Sequence, residues 1–556
     1  MAKLQSRPDD AEGPAHAAEA GESGVNADFV VVGAGSAGCV VASRLSETGA
    51  TVTLLEAGPT DWYPFIHIPA GVRTLLRNKR MNWNYESEPE AVSGNRPIHW
   101  PRGKVLGGSS SINGMLYVRG NATDYDGWAQ MGCRGWSFDD VLPLFKKSED
   151  YKPGDSSVRG KGGPLKVEDY RTILPLTHLF VKAAQEAGFT FNADLNGHSQ
   201  EGVGYSQMTR RGRFRGSTAR TFLAEARGRA NLRVETNAIA TRLLFEGTKC
   251  VGVAFRQNGV DREIRAAREV IVSGGAVNSP HLLQISGIGP AEHLKSIGAP
   301  VVLDSPGVGA NLIDHYVIRI SHRVKDLVSL NNLARGPRVV AEAIRYVVTG
   351  KGALTMGVTS AQVFCRSREG LASPDLQLLF TPASSDPMRI GELEREAGMT
   401  VAICVVRPDS RGTIMATTTD PTAKPAIRPN YISAAEDLRV MTAGFRHTRR
   451  IFAAPSMAQH SAGEIAPGPS VESDLDVADY ARRAGNTLYH PVGTCRMGED
   501  PRAVVDSRLR VRGIGGLRVI DASIMPTLTT GNTNAPTIMI GEKGAMMIRE
   551  DSGLAA

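Results

Sequence analysis

The stretch "NTLYHPVGTCRMG", Asn486 to Gly498, sets a histidine directly before Pro491 and a glycine turn. An imidazole titrates near pH 6.5, so His490 is a candidate base at neutral pH. A lone histidine beside a turn more often packs than reacts, and this stretch alone leaves both readings open. A second set of residues able to do chemistry is Gly33, Gly35 and Gly38, spaced G-x-G-x-x-G in "ADFVVVGAGSAGCVVASRLSETGATVTLLEAG". Gly33 allows a tight turn, Gly35 lets a pyrophosphate approach the backbone, and Gly38 lets a helix pack close to a strand.

The elements needed to position these glycines are in register. Phe29 to Val32 is an apolar, β-branched run of the kind found in buried parallel strands. A helix is predicted from Ser36 to about Thr48, its first N–H groups presented to phosphates. A second strand, Thr51 to Leu55, ends in Glu56, eighteen residues after Gly38, where a carboxylate meets ribose hydroxyls. The unit reads as dinucleotide-binding; it does not say which dinucleotide.

The bulk properties narrow the class. The chain has 556 residues, long enough for two domains or one large two-lobed unit, with 41% hydrophobic and 22% charged residues and 60 glycines. No run of about 18 apolar residues is present, so no membrane-spanning helix is expected. The cysteines at 39, 133, 250, 365, 404 and 495 form no C-x-x-C pair. This argues against a disulfide framework or a metal cluster and for a reducing compartment. Residues 1–26 lack a signal-peptide pattern and have little to bury, so they are read as a disordered tail. A net charge of +7, spread without aromatic interleaving, does not suggest nucleic-acid binding. The expected location is cytoplasmic, with contact at the periphery of the inner membrane left open.

A second glycine-serine loop lies in "PRGKVLGGSSSINGMLYVRG", Pro101 to Gly120. With "GGAVNSPHLLQISGIGP", "PGVGANLIDH", "HPVGTCRMG" and "VIDASIMPTLTTGNTNAPTIMIGEK", it makes the chain resemble the glucose–methanol–choline (GMC) oxidoreductase family of flavoproteins, from about residue 27 to 548. The resemblance implies an α/β fold, with a Rossmann-like FAD-binding domain and a substrate domain of a sheet backed by helices. It implies FAD, held by Gly33, Gly35, Ser36, Ala37, Gly38, Glu56 and Ala57 at the adenosine and pyrophosphate end. Val105, Gly108, Asn113, Gly114, Met115 and Leu116 would line the pyrophosphate and flavin. Ala240 would touch adenine where the family usually has valine, and Asp521 and Ala522 would meet the ribityl region. Ile112 stands where some members carry a flavin-linking histidine, so the FAD is expected to be non-covalent.

The resemblance also supplies a partner for His490. The histidine of "H-P-x-G-T-x-x-M-G" lies at the family's flavin face, Asn532 occupies the second catalytic position, and Asn532 and Thr533 would also contact the cofactor. Asparagine can donate to an alkoxide-like oxygen but cannot titrate, which leaves His490 as the base. The implied activity is oxidation of a primary alcohol to the aldehyde by hydride transfer to flavin. The subgroup looks most like bacterial alcohol and choline dehydrogenases, which often use a quinone or another acceptor. An oxidase using O2, or a non-redox or light-driven member, is the alternative. Photodecarboxylases of the family place a cysteine just before an arginine in a similar strand; here Cys404 and Arg407 are out of that register. The alcohol itself is not readable.

The expected domains are an FAD-binding part at 27–315, with a substrate-domain excursion near 161–204, a substrate-binding domain at 316–464, and a C-terminal FAD-binding part at 465–550. Within the substrate domain, Asp375 to Pro382 and Thr400 to Pro408 read as strands. Arg335 to Gly357 contains a helix with Val339, Val340, Ile344, Val347 and Val348 on one side. Such a face ordinarily packs on the core; a membrane-surface or substrate-access role is the alternative. His281 and His315 are read as packing or capping residues without chemistry. His67 and His99 are read as structural, with a channel role second.

Overall fold

The computed structural model describes residues 26–385 and 392–555, so the expected N-terminal tail lies outside the described residues except for Asn26. The first strand, β1 (Asn26–Val32), carries the run "FVVV", whose side chains are almost fully buried on both faces. It leads through the glycine turn into α1 (Gly38–Ser46) and back into β2 (Val52–Leu55). The helix begins two residues later than the sequence suggests, because Ser36 and Ala37 are used by the turn. A Cβ on Gly38 would come within 1.9 Å of the Gly33 carbonyl oxygen, so only glycine lets α1 sit this close to β1.

β1 and β2 pair in parallel at the centre of a seven-stranded sheet. Leu232–Glu235 flanks β2, also in parallel, and Val260–Val272 flanks β1. Strands Lys249–Gln257 and Ala238–Glu246 continue the sheet as an antiparallel meander. Leu517–Val519 joins beside Val260–Val272 in parallel, bringing the C-terminal region into the first sheet. This arrangement puts the ends of β1 and β2 and the loop after Val519 at one edge, where α/β sheets bind nucleotides.

The second sheet is antiparallel. Its order is Ser461–Ala466, then β3 (Tyr316–Val324), then Gly398–Val405, Leu376–Thr381, Ala361–Cys365 and Gly202–Tyr205; Asn486–Thr487 pairs with β3. The strands read from "DLQLLFTP" and "TVAICVVRP" are two of these. Helix Ala435–Ala453 covers the sheet, burying Val440, Met441 and Phe445 against a core that includes Leu376, Leu378 and Ile403. At about 25 cal/mol per Å² of apolar area, each such side chain contributes about 1.5–3 kcal/mol.

The helix expected after Arg335 forms as α2 (Gly336–Thr349). Its apolar stripe does not face the core. Val340, Ile344, Val347 and Val348 are 59%, 60%, 66% and 74% exposed, and only Tyr346 on this helix is buried. The inward face holds Glu342, whose carboxylate accepts from the Ala353 N–H, and Tyr346, whose hydroxyl donates to the Arg213 carbonyl. No helix of the described residues is long and apolar enough to cross a membrane.

The last helix, α3 (Asn534–Asp551), packs across α1. The buried Arg44 guanidinium bonds to Glu542 at 2.7 Å, and the Ser36 hydroxyl donates to Asn534 Oδ1 at 2.8 Å. These contacts fix the loop before α3 over the glycine turn.

Candidate active site

A cavity of about 1140 Å³ runs between the two sheets. One wall comes from the glycine turn and the end of β2, with Gly33, Gly35, Ser36, Ala37, Glu56 and Ala57. Ala240, Gly108, Asn113, Gly114, Met115 and Leu116 also line it, as do Asp521, Ala522, Asn532, Thr533 and His490. Two expected residues are not on the wall. Gly38 lies beneath the turn, as its packing role requires, and Val105 is fully buried with Ile66, Leu75, Met81 and Ile112. The structure adds residues that the motifs did not single out for the site, among them Arg102, His281, Arg319 and Tyr489.

The glycine-turn wall suits a dinucleotide. The N–H groups of Gly35, Ser36 and Ala37 make no hydrogen bond to another described residue, which leaves a set of free donors beside the start of α1. A Cβ on Gly108 would approach Gly35 Cα to 2.7 Å, so the two glycine loops close on each other without side chains between them. Glu56 accepts from the Ala34 and Gly58 N–H groups at 3.0 and 2.8 Å, and burial pushes its carboxyl up to about 7. Asp521 accepts from the Gly275 N–H at 2.8 Å and from the Ser279 hydroxyl at 2.5 Å, and burial raises it as well.

At the other end, the order of ring protons on two histidines can be deduced from their partners. His315 Nε2 lies 3.2 Å from the Val406 carbonyl oxygen, which only accepts, so Nε2 carries the His315 proton. Neutral His315 then presents a lone pair at Nδ1, 2.9 Å from His490 Nδ1. His490 must donate there, and its Nε2 is left as a lone pair. Asn532 Nδ2 lies 3.1 Å from that Nε2. Both rings are buried; burial alone brings His315 down to about 4. Burial, then His315 and the Arg102 cation, hold His490 well below the ordinary imidazole value. The neutral base form is therefore the resting form.

The fold fixes this pair from behind. Asp314 accepts from the His490 backbone N–H at 2.7 Å, from the Thr487 hydroxyl at 2.5 Å and from the Tyr431 hydroxyl. Burial pushes the Asp314 carboxyl up to about 6. Arg102 donates to the Tyr489 carbonyl at 2.6 Å. The loop carrying Asn532 is held by Asp124, which accepts from the Thr530 N–H at 2.7 Å and is paired with Arg407 at 2.7 Å. Asn532 Oδ1 is buried without a partner among the described residues, leaving an acceptor beside the base.

Of the remaining candidates, His67 and His99 fall elsewhere. His67 bonds to the Asp61 carbonyl and Arg220, and His99 to Asn84; neither lines the cavity. His281 does line it, is buried, and is brought down to about 4 by burial. None of the six cysteines reaches the wall; Cys404 and Cys495 are buried, which holds their thiols well above the ordinary range. Among the described residues no cluster of potential metal ligands occurs.

A nucleotide-type cleft facing a buried histidine–asparagine pair defines a class of enzyme, and comparison with known proteins narrows it. Family models described as GMC oxidoreductase match residues 27–317 and 408–541. The chain is 44% identical to alcohol dehydrogenase [acceptor] of Pseudomonas putida, over 94% of this chain and 95% of that one. It is 42% identical to mitochondrial choline dehydrogenase of Homo sapiens, over 95% and 90%. Among solved structures, formate oxidase of Aspergillus oryzae RIB40, in a study of its FAD modification, superposes with a TM-score of 0.88 at 27% identity, over 96% and 100%. The chain belongs to the GMC oxidoreductase family.

Proposed function

We propose that the chain is an FAD-dependent alcohol dehydrogenase that converts a primary CH–OH group to the aldehyde, with His490 as the base. FAD, when bound, supplies the hydride acceptor. The observation that carries the reading is His490 Nε2 at the cavity wall, 3.1 Å from the Asn532 amide, with Nδ1 engaged by His315. As the carbinol carbon gives up its hydride, Nε2 takes the hydroxyl proton, and the Asn532 N–H₂ donates to the oxygen while alkoxide character develops. Asp314 and His315 keep the imidazole in place and in the required tautomer. The free N–H groups of Gly35 to Ala37 would hold the pyrophosphate, and Glu56 the ribose. The FAD is read as non-covalent, because Ile112 has no nucleophile and no described cysteine reaches the cavity.

Anaerobic addition of alcohol to the holoenzyme tests the reading: the flavin absorbance should bleach and aldehyde should appear in equal amount. A lyase, a decarboxylase or an inert flavin binder would leave the flavin oxidised. The acceptor is proposed to be a quinone-like compound, in keeping with the acceptor-linked Pseudomonas putida relative. Reoxidation by air as fast as turnover would make the protein an oxidase.

The outward stripe of α2 supports one partner, an anionic lipid surface. Residues 335–351 carry Arg335, Arg338, Arg345 and Lys351 against Glu342 alone, so basic groups accompany four exposed aliphatic side chains. Phe214, half exposed and next to the Arg213 that grips the end of α2, extends the apolar character of this side. Glu342 on the underside of the same helix lines the cavity.

A further inference from the structure

Among the described residues Arg319 has no acidic partner. It lies on β3, opposite Ala402, on the face that also carries Val317; both Arg319 and Ala402 line the cavity. Its guanidinium forms no hydrogen bond or ion pair with any described residue, although its backbone carbonyl accepts from the Tyr480 hydroxyl at 2.7 Å. Arginine cannot shed its charge, so a half-buried guanidinium without a partner is an incomplete site.

The described carboxylates on the cavity wall, Glu56, Glu342, Glu392 and Asp521, all have other partners. Glu56 and Asp521 accept from backbone N–H groups at the glycine turn and the loop after Val519. Glu342 accepts from the Ala353 N–H, and Glu392 pairs with Arg77 at 2.8 Å. The second cation near His490, Arg102, is spent on the Tyr489 and Pro101 carbonyls. Of the aromatic rings on the wall, Trp83 stacks on Tyr85 at 5.8 Å and already holds the Lys104 ammonium at 4.5 Å from its ring. A cationic headgroup would therefore meet Arg319 with no uncommitted carboxylate among the described wall residues to receive it.

The geometry points to a substrate of the opposite charge. Building on the alcohol-oxidation reading, we propose that Arg319 binds a carboxylate or similar planar anionic group at the far end of the substrate, so that the enzyme prefers hydroxy acids to neutral or cationic alcohols. A guanidinium offers such a group two parallel N–H donors. The spacing sets the length. Four residues of strand separate the backbones of Arg319 and of His315, the ring that touches His490, by about 13 Å. That separation favours hydroxy acids with the alcohol several carbons from the carboxylate over an α-hydroxy acid, whose two groups sit on adjacent carbons.

The test compares ω-hydroxyhexanoate, 1-hexanol and choline in anaerobic flavin reduction, for wild type, Arg319→Lys and Arg319→Met holoenzyme. Wild type should reduce with the hydroxy acid at least about ten-fold more efficiently than with hexanol, the scale of a charged hydrogen bond, and least with choline. Arg319→Met should erase that preference, with bound FAD and far-UV circular dichroism reporting that the variant is folded; Arg319→Lys should keep part of it. Hexanoate, which has no alcohol, provides a binding readout: it should perturb the flavin spectrum, with affinity lost in Arg319→Met. Equal use of hydroxy acid and hexanol by wild type, a preference for choline, or a preference that survives in Arg319→Met would overturn the proposal. If no alcohol reduces the flavin, the alcohol reading fails by itself, and hexanoate binding still judges Arg319.

Discussion

His315 Nδ1 and His490 Nδ1 lie 2.9 Å apart with their rings nearly perpendicular, at 84°. Two ring nitrogens can share such a contact only if one is protonated, and the Val406 carbonyl decides which. The proton placement therefore passes from a strand-end carbonyl, through a histidine that touches no substrate, to the nitrogen that does the chemistry. Histidine bases commonly depend on such a partner at the second ring nitrogen.

His315→Ala should remove the acceptor for the His490 Nδ1 proton and let the tautomer protonated at Nε2 populate. Flavin reduction should slow by about 10- to 100-fold, the usual effect of losing a group that orients a histidine. Because His315 is one of the groups that depress His490, the acid limb of the rate profile should move up toward pH 6.5. His315→Gln, which can present an amide oxygen, should recover part of the rate. An unchanged rate and midpoint in His315→Ala would show that the contact does not set the tautomer.

The flavin should leave with denaturant. Acid or heat precipitation of the yellow holoenzyme should put all FAD in the supernatant, since Ile112 cannot form a bond to the ring. Yellow colour retained by washed precipitate would identify a covalent link at another residue.

The glycine turn was legible because its requirement is local: Gly33, Gly35 and Gly38 are needed by backbone geometry within a few residues. His490 and Asn532 were legible through family motifs that carry their surroundings with them. His315 was read as a packing residue, because its role depends on a long-range register. Ile313 bridges Val492 and Val317 pairs with Asn486, which brings residues 175 positions apart into contact. A sequence motif states that a histidine is present, not which ring it will meet. Helix α2 shows a related limit: the period of Val340, Ile344, Val347 and Val348 defines a stripe, while the inward contacts of Glu342 and Tyr346 decide that the stripe faces out.

That stripe gives a binding prediction. The protein should float with vesicles containing phosphatidylglycerol and not with purely zwitterionic ones, and binding should weaken as salt rises above about 0.1 M. Ile344→Asp with Val348→Asp should abolish flotation and leave oxidation of a water-soluble alcohol within about two-fold, since both side chains point away from the cavity. Flotation that ignores lipid charge would remove the role given to the arginines. Loss of a dimer, rather than of lipid binding, in the double variant would mean that the stripe covers a second copy instead.

The base itself has a pH signature with a definite sign. His490 acts unprotonated, and burial lowers its pKa, so protonation requires more acid than for a free imidazole. Flavin reduction should therefore be flat above pH 6.5 and fall only below it. His490→Ala should slow reduction by about 10²-fold or more and lose the limb, with FAD content unchanged because the phosphates are held at the glycine turn. Asn532→Ala removes a donor from the developing alkoxide and should cost about 10- to 10³-fold while keeping the limb. Stopped-flow flavin reduction from pH 5 to 9 on the three proteins separates these outcomes. A limb of the same midpoint persisting in His490→Ala would assign the proton to another group, for which the raised carboxyl of Asp314, hydrogen-bonded to the His490 N–H, is the nearest candidate.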